Sequence, residues 1–312
     1  MAVTNAGFAA FWHNLRCSLE RVGAGQHALI IGTDRDACSA ALAPGVSCLV
    51  GESLFWPEEA AAELQRKAVS HGTRPYARLM QVKARPTLQA LRLGYSVLST
   101  DTDIVFLRNP LPHLEALQHD GEVDVLIQSD HDEVNDAACA RHEECPRSFW
   151  CEEGGRCAEE VCGGLHWMRG GAPQATALLE RMFALFEQQR RNGDERTGEQ
   201  PALNHAIRRT PGLRYRLLPQ GLYPNGAAFF SRGLRPPADE PLPYAIHNNW
   251  ISGFEVRRGA LSGLGARARL MWPLPRRQAK RSRFEQHAMW LTRYTTEGAP
   301  TACITTALHA PT

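Results

Sequence analysis

Nowhere in the 312-residue chain is there a run of the ~20 apolar residues that a membrane-spanning helix needs. The opening stretch, Met1 to Asn14, has no basic segment followed by an apolar one, so it does not read as a secretory signal peptide. Attachment to a membrane would therefore require an anchor that this chain does not contain. Charge of one sign is also scarce in excess: 35 Lys and Arg against 33 Asp and Glu leave a formal net charge of +2. A nucleic-acid binder usually shows a marked basic surplus, so nucleic acid is not an expected partner. The one basic cluster, Arg276, Arg277, Lys280, Arg281 and Arg283, follows Pro273 and Pro275 and reads as a solvated tail. There is no internal repeat, and no tight C-x2-C pair of the kind that zinc sites use.

A core, by contrast, is amply provided for. The chain is 43% hydrophobic and 22% charged, ordinary values for a globular protein. Its length suits one large α/β domain or two smaller ones. Cysteine is unevenly spread: of nine, Cys139, Cys145, Cys151, Cys157 and Cys162 fall close together. That spacing, in a loop-rich stretch, reads as a disulfide framework of an oxidising compartment. Free thiols, or a zinc site built from Cys139, His142, Cys145 and a later cysteine, are the alternatives. The odd count leaves at least one thiol unpaired within the chain.

Helix and strand signals alternate along the N-terminal half. Phe8, Phe11, Trp12, Leu15, Leu19 and Val22 recur at helical spacing, with Gly23 as a stop. Ala28 to Ile31 is a short apolar run of the buried-strand type, and Thr33 or Asp34 caps a short helix reaching about Leu42. Val46 to Val50 reads as a strand, Glu58 to Val69 as a helix, and Leu79 to Leu93 as a helix disturbed by Pro86 and stopped by Gly94. Tyr95 to Leu98 and Val123 to Ile127 are further strands. From Ser129 to about Glu160 periodicity is lost; this is the cysteine-rich excursion. Structure resumes at Leu165 to Met168, then a helix carries Ala177, Leu178, Met182, Leu185 and Phe186 on one face. A second helix covers Glu199 to Ile207, and Leu213 to Leu218 and Tyr244 to Ile246 read as short strands. Such alternation implies an α/β fold with a mostly parallel sheet flanked by helices, whose ligands bind at the C-terminal strand ends.

One of those ends carries Asp101 and Asp103. In an extended segment, residues two apart point the same way. Two convergent carboxylates make a hard oxygen site suited to Mg²⁺ or Mn²⁺, which take their remaining ligands from phosphate and water. Taken alone, such a pair is common by chance and is more often surface or capping aspartates.

The surroundings favour the first alternative. The stretch Arg78-Leu-Met-Gln-Val-Lys83, then Leu91-Arg-Leu-Gly-Tyr-Ser-Val-Leu-Ser-Thr-Asp-Thr-Asp-Ile-Val-Phe-Leu-Arg-Asn-Pro110, resembles the heart of the GT-A glycosyltransferases. In particular it is similar to the nucleotide-diphospho-sugar transferases of glycosyltransferase family 77, which include plant and algal xylosyl- and arabinosyltransferases. Further matches follow in the family's order. Val3-Thr4-Asn5 resembles the loop after the first strand, which holds nucleobase and ribose. Gly163-Gly164-Leu165 with Arg169 resembles the segment lining the donor sugar. Glu199-Gln200-Pro-Ala-Leu-Asn204 resembles a D-Q-x-x-L/F-N helix start, and His247-Asn-Asn-Trp-Ile-Ser-Gly253 a closing His-x-Asn-Trp-x-x-Gly. The resemblance covers roughly residues 1 to 260.

The resemblance implies a GT-A type, Rossmann-like domain over residues 1–275, with the cysteine-rich, disulfide-bearing excursion at about 130–162 and a basic, irregular tail over 276–312. It implies Mn²⁺ or Mg²⁺ held by Asp101, Asp103 and His247, a UDP-sugar donor, and a carbohydrate or glycoprotein acceptor. Lys83, and Arg257 unless it is merely solvated, would neutralise the leaving diphosphate. Glu199 and Gln200 would lie near the sugar and acceptor as catalytic groups. Transfer of a pentose or galactose with retention, in the Golgi lumen, is the implied activity. Three departures stand out: Cys162 replaces an Asn of an Asn-x-Gly turn, Glu199 replaces Asp, and Pro86 falls inside a helix. Two other readings compete. Asp101-Thr-Asp103-Ile-Val105 also fits a haloacid-dehalogenase-type phosphatase with Asp101 as nucleophile. The departures, in turn, are what a GT-A-like nucleotide-sugar-binding protein without turnover would show.

Overall fold

The computed structural model describes residues 1–5, 8–33, 35–41, 47–50, 74–120, 122–130, 160–193, 198–249, 292–294 and 300–303. The chain opens with β1 (Ala2–Thr4), α1 (Ala9–Arg21), β2 (Leu29–Gly32), α2 (Arg35–Ala41) and β3 (Ser47–Val50). Helix α3 (Arg74–Arg92) leads into β4 (Val97–Thr100), β5 (Ile104–Phe106) and α4 (Leu111–His119). Then come β6 (Val125–Ser129), β7 (Val161–Met168), α5 (Pro173–Arg191), α6 (Glu199–Arg209), β8 (Tyr215–Leu217) and β9 (Ala245–His247). A hairpin of β10 (Thr292–Tyr294) and β11 (Pro300–Cys303) follows.

The central sheet has seven strands in the order β3-β2-β1-β4-β7-β6-β8. β3, β2, β1 and β4 run parallel, as do β6 and β8, while β7 is antiparallel to both its neighbours. A mostly parallel sheet has to be covered on both faces, so its strands read as continuous apolar runs. The side chains of β6 and β7 alternate accordingly. Val125, Ile127 and Met168 pack with α3, α5 and α6 on one face. Leu126, Leu165 and Trp167 pack with Trp12 and Leu15 of α1, Leu114 of α4 and Tyr244 on the other. The expected α/β class with flanking helices is the one observed.

Several details differ from expectation. Pro86 does not break α3, which runs unbroken over Arg74–Arg92. The proline removes one N–H from the helix ladder, and next to it Thr87 Oγ1 donates to the Lys83 carbonyl at 3.1 Å. Gly94 ends the helix at φ +87°, a conformation that glycine adopts without strain. Tyr95 is two-thirds exposed, and β4 starts at Val97 rather than Tyr95. The expected helix over Glu58 to Val69, most of the cysteine-rich excursion and the basic cluster at 276–283 lie outside the described residues.

Cys162 is not part of a disulfide framework: it stands buried in β7 as a free thiol. The disulfides among the described residues are Cys17–Cys303 and Cys38–Cys48. The first ties β11 to α1, so the stretch expected to be an irregular tail carries a hairpin fastened to the helical layer.

Candidate active site

β4 ends at Thr100 and β5 begins at Ile104, so Asp101 to Asp103 form a turn rather than an extended segment. The two carboxylates converge because of that turn, not because of strand alternation. β5 then pairs antiparallel with β9, in the register Ile104↔His247. The Asn248 amide donates to the Asp103 carbonyl at 2.9 Å. This small ladder sets His247, far along the chain, beside the aspartates. His247 Nε2 lies 3.3 Å from Asp103 Oδ1 and 3.6 Å from Asp101 Oδ2. One ligand atom from each of the three residues can be chosen so that all lie within 4.8 Å of one another.

Strand β7 forms the floor. The Asp101 amide donates to the Gly164 carbonyl at 2.7 Å. A Cβ on Gly164 would stand 2.1 Å from His247 Cε1 and 2.8 Å from Asp101 Oδ2. Glycine is therefore required there by close approach of the site, whereas a Cβ on Gly163 would meet Gln200 at an ordinary 3.4 Å.

Behind the aspartates lies Lys83 of α3, 2% exposed. Its ammonium reaches Asp101 Oδ1 at 2.9 Å, Glu199 Oε2 at 3.3 Å and the Gly163 carbonyl at 2.7 Å. Those contacts match the three donors of an ammonium. Lys83 is thus turned inward to hold carboxylates, and the expected clamp on a diphosphate does not follow from its placement. Burial opposes its charge, but Asp101 and then Glu199 outweigh this and raise its pKa. Asp101 is half-buried, which disfavours its charge, yet Lys83 and then His247 keep its carboxyl well below the ordinary range. Burial pushes Glu199 up to about 7, with Lys83 opposing and Asp101 adding to the shift. For His247, burial disfavours the charge, while Cys162 and the two aspartates more than reverse it and raise its pKa.

Gln200 sits on α6 one residue after Glu199. Its Oε1 accepts from the Gly163 amide at 3.3 Å and its Nε2 donates to Asp130 Oδ2 at 2.8 Å. Asn204, one turn on, accepts from the Val161 amide at 2.9 Å and donates to the Val161 carbonyl at 3.0 Å. It pairs with the start of β7 as a strand neighbour would. Thr4 and Asn5 lie at the C-terminal end of β1, near β4, and both are fully buried. Val3 packs with Ile31, Leu79 and Val82 and is a core residue rather than part of a loop. Arg169 stands at the opposite end of the sheet, bound to Asp124 at 2.6 Å. Five residues of strand rise separate it from Gly164, roughly 17 Å, so it does not line this site. Gly253 and Arg257 lie outside the described residues.

Sequence reasoning missed Gln128 and Asp130, because the strand was ended at Ile127. Asp130 receives Gln200 and, at 3.3 Å, Asn249 Nδ2. Gln128 Oε1 lies 2.8 Å from His247 Nδ1. Cys162 Sγ is 3.5 Å from the same nitrogen, inside a strand rather than the turn that a relative's Asn would occupy. The available signal was a polar Gln-Ser-Asp run continuing a buried strand at its C-terminal end.

The sequence profile described as nucleotide-diphospho-sugar transferase matches residues 23–258. Over 232 residues the chain is 27% identical to "Beta-arabinofuranosyltransferase RAY1" of Arabidopsis thaliana, covering 70% of this chain and 39% of that protein. Over 199 residues it is 25% identical to "UDP-galactose:fucoside alpha-3-galactosyltransferase" of Dictyostelium discoideum, covering 61% and 28%. The chain thus spans well under half the length of these two relatives. Among solved structures, mouse xyloside xylosyltransferase 1 in its apo form aligns over 80% of this chain and 96% of its own, at 13% identity and TM-score 0.44. The phosphatase reading of Asp101 is overturned by the profile match, whose span contains the aspartates, β7, α6 and His247. With more than half of its residues matched, the chain belongs to the nucleotide-diphospho-sugar transferase family.

Proposed function

We propose that the protein is a metal-dependent glycosyltransferase that moves a sugar from a UDP-sugar to a hydroxyl of a glycan or glycoprotein, with retention of configuration. The observation that carries this is the convergence of Asp101, Asp103 and His247 at the end of β4, in a chain of this family. The residues suit a divalent cation. His247 Nε2 is buried without a hydrogen-bond partner and points at two carboxylates. A set of two carboxylates and one imidazole, with the remaining positions left to phosphate and water, fits Mn²⁺ or Mg²⁺. When bound, the ion supplies Lewis-acid stabilisation to the departing diphosphate.

The chain's own groups divide the remaining work. Asp103 and His247 hold the cation. Asp101 joins them, oriented by Lys83. Glu199, buried at 5% exposure and facing Lys83, sets that lysine rather than meeting the sugar directly. Gln200 and Asp130 form the polar wall on the other side of Gly163, placed to take sugar hydroxyls. Thr4 and Asn5 border the nucleotide side, and the resemblance adds Gly253 and Arg257 there. Relatives named as arabinofuranosyl-, galactosyl- and xylosyltransferases support a pentose or galactose donor. The two disulfides support an oxidising compartment, which for this family is the Golgi lumen. Among the described residues no helix is long and apolar enough to cross a membrane. We take residues 1–275 as the catalytic domain, with the C-terminal hairpin attached to its α1.

Donor hydrolysis and transfer should be assayed across UDP-xylose, UDP-arabinose and UDP-galactose with Mn²⁺, for the wild type and Asp103→Asn. Turnover that needs Mn²⁺ and falls at least about 100-fold in the variant, the scale of removing a preorganised electrostatic group, supports the reading. UDP and Mn²⁺ binding without hydrolysis or transfer would point to a nucleotide-sugar-binding protein instead.

A further inference from the structure

The imidazole of His247 offers a lone pair at Nε2 only if its proton sits on Nδ1, and something in the fold has to decide that. We propose that Gln128 is the positioning residue that does so, holding His247 as the Nδ1–H tautomer with Nε2 open to a divalent cation. This rests on the metal-site reading above.

The argument starts from an amide whose orientation is forced. Gln128 lies in β6, fully enclosed, with its nitrogen 3.0 Å from the Tyr223 carbonyl oxygen and its oxygen 2.8 Å from His247 Nδ1. A backbone carbonyl can only accept, so the side-chain NH₂ has to face Tyr223. Turning the amide over would set two acceptor oxygens against each other in a buried place, where an unmade hydrogen bond costs about 1–3 kcal/mol. The oxygen therefore faces His247, and an amide oxygen can only accept. His247 Nδ1 has to donate, so in the neutral ring that binds a cation Nε2 is the lone-pair nitrogen, the one directed at Asp101 and Asp103.

The Tyr223 carbonyl is itself fixed. The Tyr223 amide donates to the Pro219 carbonyl at 2.9 Å, and the neighbouring carbonyls of Leu222 and Pro224 accept from Tyr244 at 2.8 Å and His247 at 3.2 Å. One short segment thus holds the main chain of His247 and the amide of Gln128 together. The second neighbour of Nδ1, Cys162 Sγ at 3.5 Å, is a weaker partner and itself receives Asn249 Nδ2 at 3.5 Å. Hydrogen-bond partners behind metal-bound histidines act in this way, fixing the tautomer and ring orientation.

Mn²⁺ affinity, read by electron paramagnetic resonance of free ion, should be compared for wild type, Gln128→Leu, Gln128→Glu and His247→Ala. Gln128→Leu removes the acceptor and should weaken Mn²⁺ binding roughly 10- to 100-fold. Gln128→Glu keeps an acceptor for Nδ1 and, as the carboxylic acid, a donor for the Tyr223 carbonyl, and should bind within about threefold of wild type; a merely space-filling role would instead leave leucine, of similar bulk, equally tolerated. If the leucine variant does not fold, as judged by circular dichroism, the glutamate variant decides: a tenfold or larger loss in it overturns the proposal. Wild-type affinity in a folded Gln128→Leu alongside loss in His247→Ala overturns the role of Gln128 alone. Absence of Mn²⁺ binding by the wild type overturns the metal-site reading, and this inference with it. With Mg²⁺ bound, long-range ¹⁵N–¹H spectra should show His247 protonated at Nδ1 in the wild type.

Discussion

At Gly164 the missing side chain is part of the site. His247 and Asp101 come so close to the β7 backbone that a methyl group there would stand at 2.1 and 2.8 Å from them. Gly164→Ala should therefore displace the imidazole or the carboxylate and weaken Mn²⁺ binding at least about tenfold, as misplacing a ligand does. Gly163→Ala, with its nearest contact at 3.4 Å, is the control and should change affinity little. Equal effects in the two variants, measured by Mn²⁺ titration, would count against the geometry. His166, two residues on, is fully buried, and its Nδ1 has no hydrogen-bond partner. Burial first, and the nearby charge of Lys83 second, push its pKa from 6.5 down to about 3. The unfolded chain then binds a proton that the folded one refuses, so stability is lost as pH falls from 6.5 towards 3. The slope is about 1.4 kcal/mol per pH unit, or roughly 2 kcal/mol between pH 6.5 and 5. Urea unfolding across that range should show His166→Gln losing correspondingly less than the wild type. A shared slope would remove His166 as the cause.

Among the elements, the helices were the most legible. The apolar spacing of α1 and α5 and the glycine stop of α3 were plain from periodicity. Strand limits were less so, and for one physical reason. β4 ends in Ser99 and Thr100, and β6 in Gln128 and Ser129, all buried polar residues. Side chains at C-terminal strand ends face the site and so do not carry the apolar signature by which strands are found. The reversal of β7 and the pairing of β5 with β9 were not legible either, because strand direction and long-range partners leave no trace in periodicity. That second pairing is what sets His247 beside Asp103. Resemblance to a family supplied the three ligand candidates, but it could not supply their neighbours. Lys83 was expected to face a diphosphate and instead holds Asp101 and Glu199. Glu199, expected at the reacting sugar, is buried in the fold with its carboxylate 3.3 Å from the Lys83 ammonium.

For the molecule as a whole, the disulfides among the described residues lie away from the crowded cysteines, four of which fall outside those residues. Disulfide pairing depends on where Cβ atoms meet in the fold, which spacing alone does not reveal. The Cys17–Cys303 bridge closes a loop of sequence separation 286, against 10 for Cys38–Cys48. Chain entropy lost from the unfolded state scales with the logarithm of loop length, giving about 6 kcal/mol for the first and about 3 kcal/mol for the second. The first also anchors α1, whose Ser18 Oγ accepts from the Phe106 amide of β5 at 3.1 Å. Paired replacement of Cys17 and Cys303 by alanine should therefore lower the melting temperature more than paired replacement of Cys38 and Cys48. The site should survive either change, since the β5–β9 ladder and the Asn248 to Asp103 bond lie within the folded body and do not pass through a disulfide. Calorimetric melts with Mn²⁺ titration on the same samples separate the two effects. Loss of Mn²⁺ affinity in the folded Cys17→Ala/Cys303→Ala protein would mean that the hairpin takes part in shaping the site, and not only in holding α1 down.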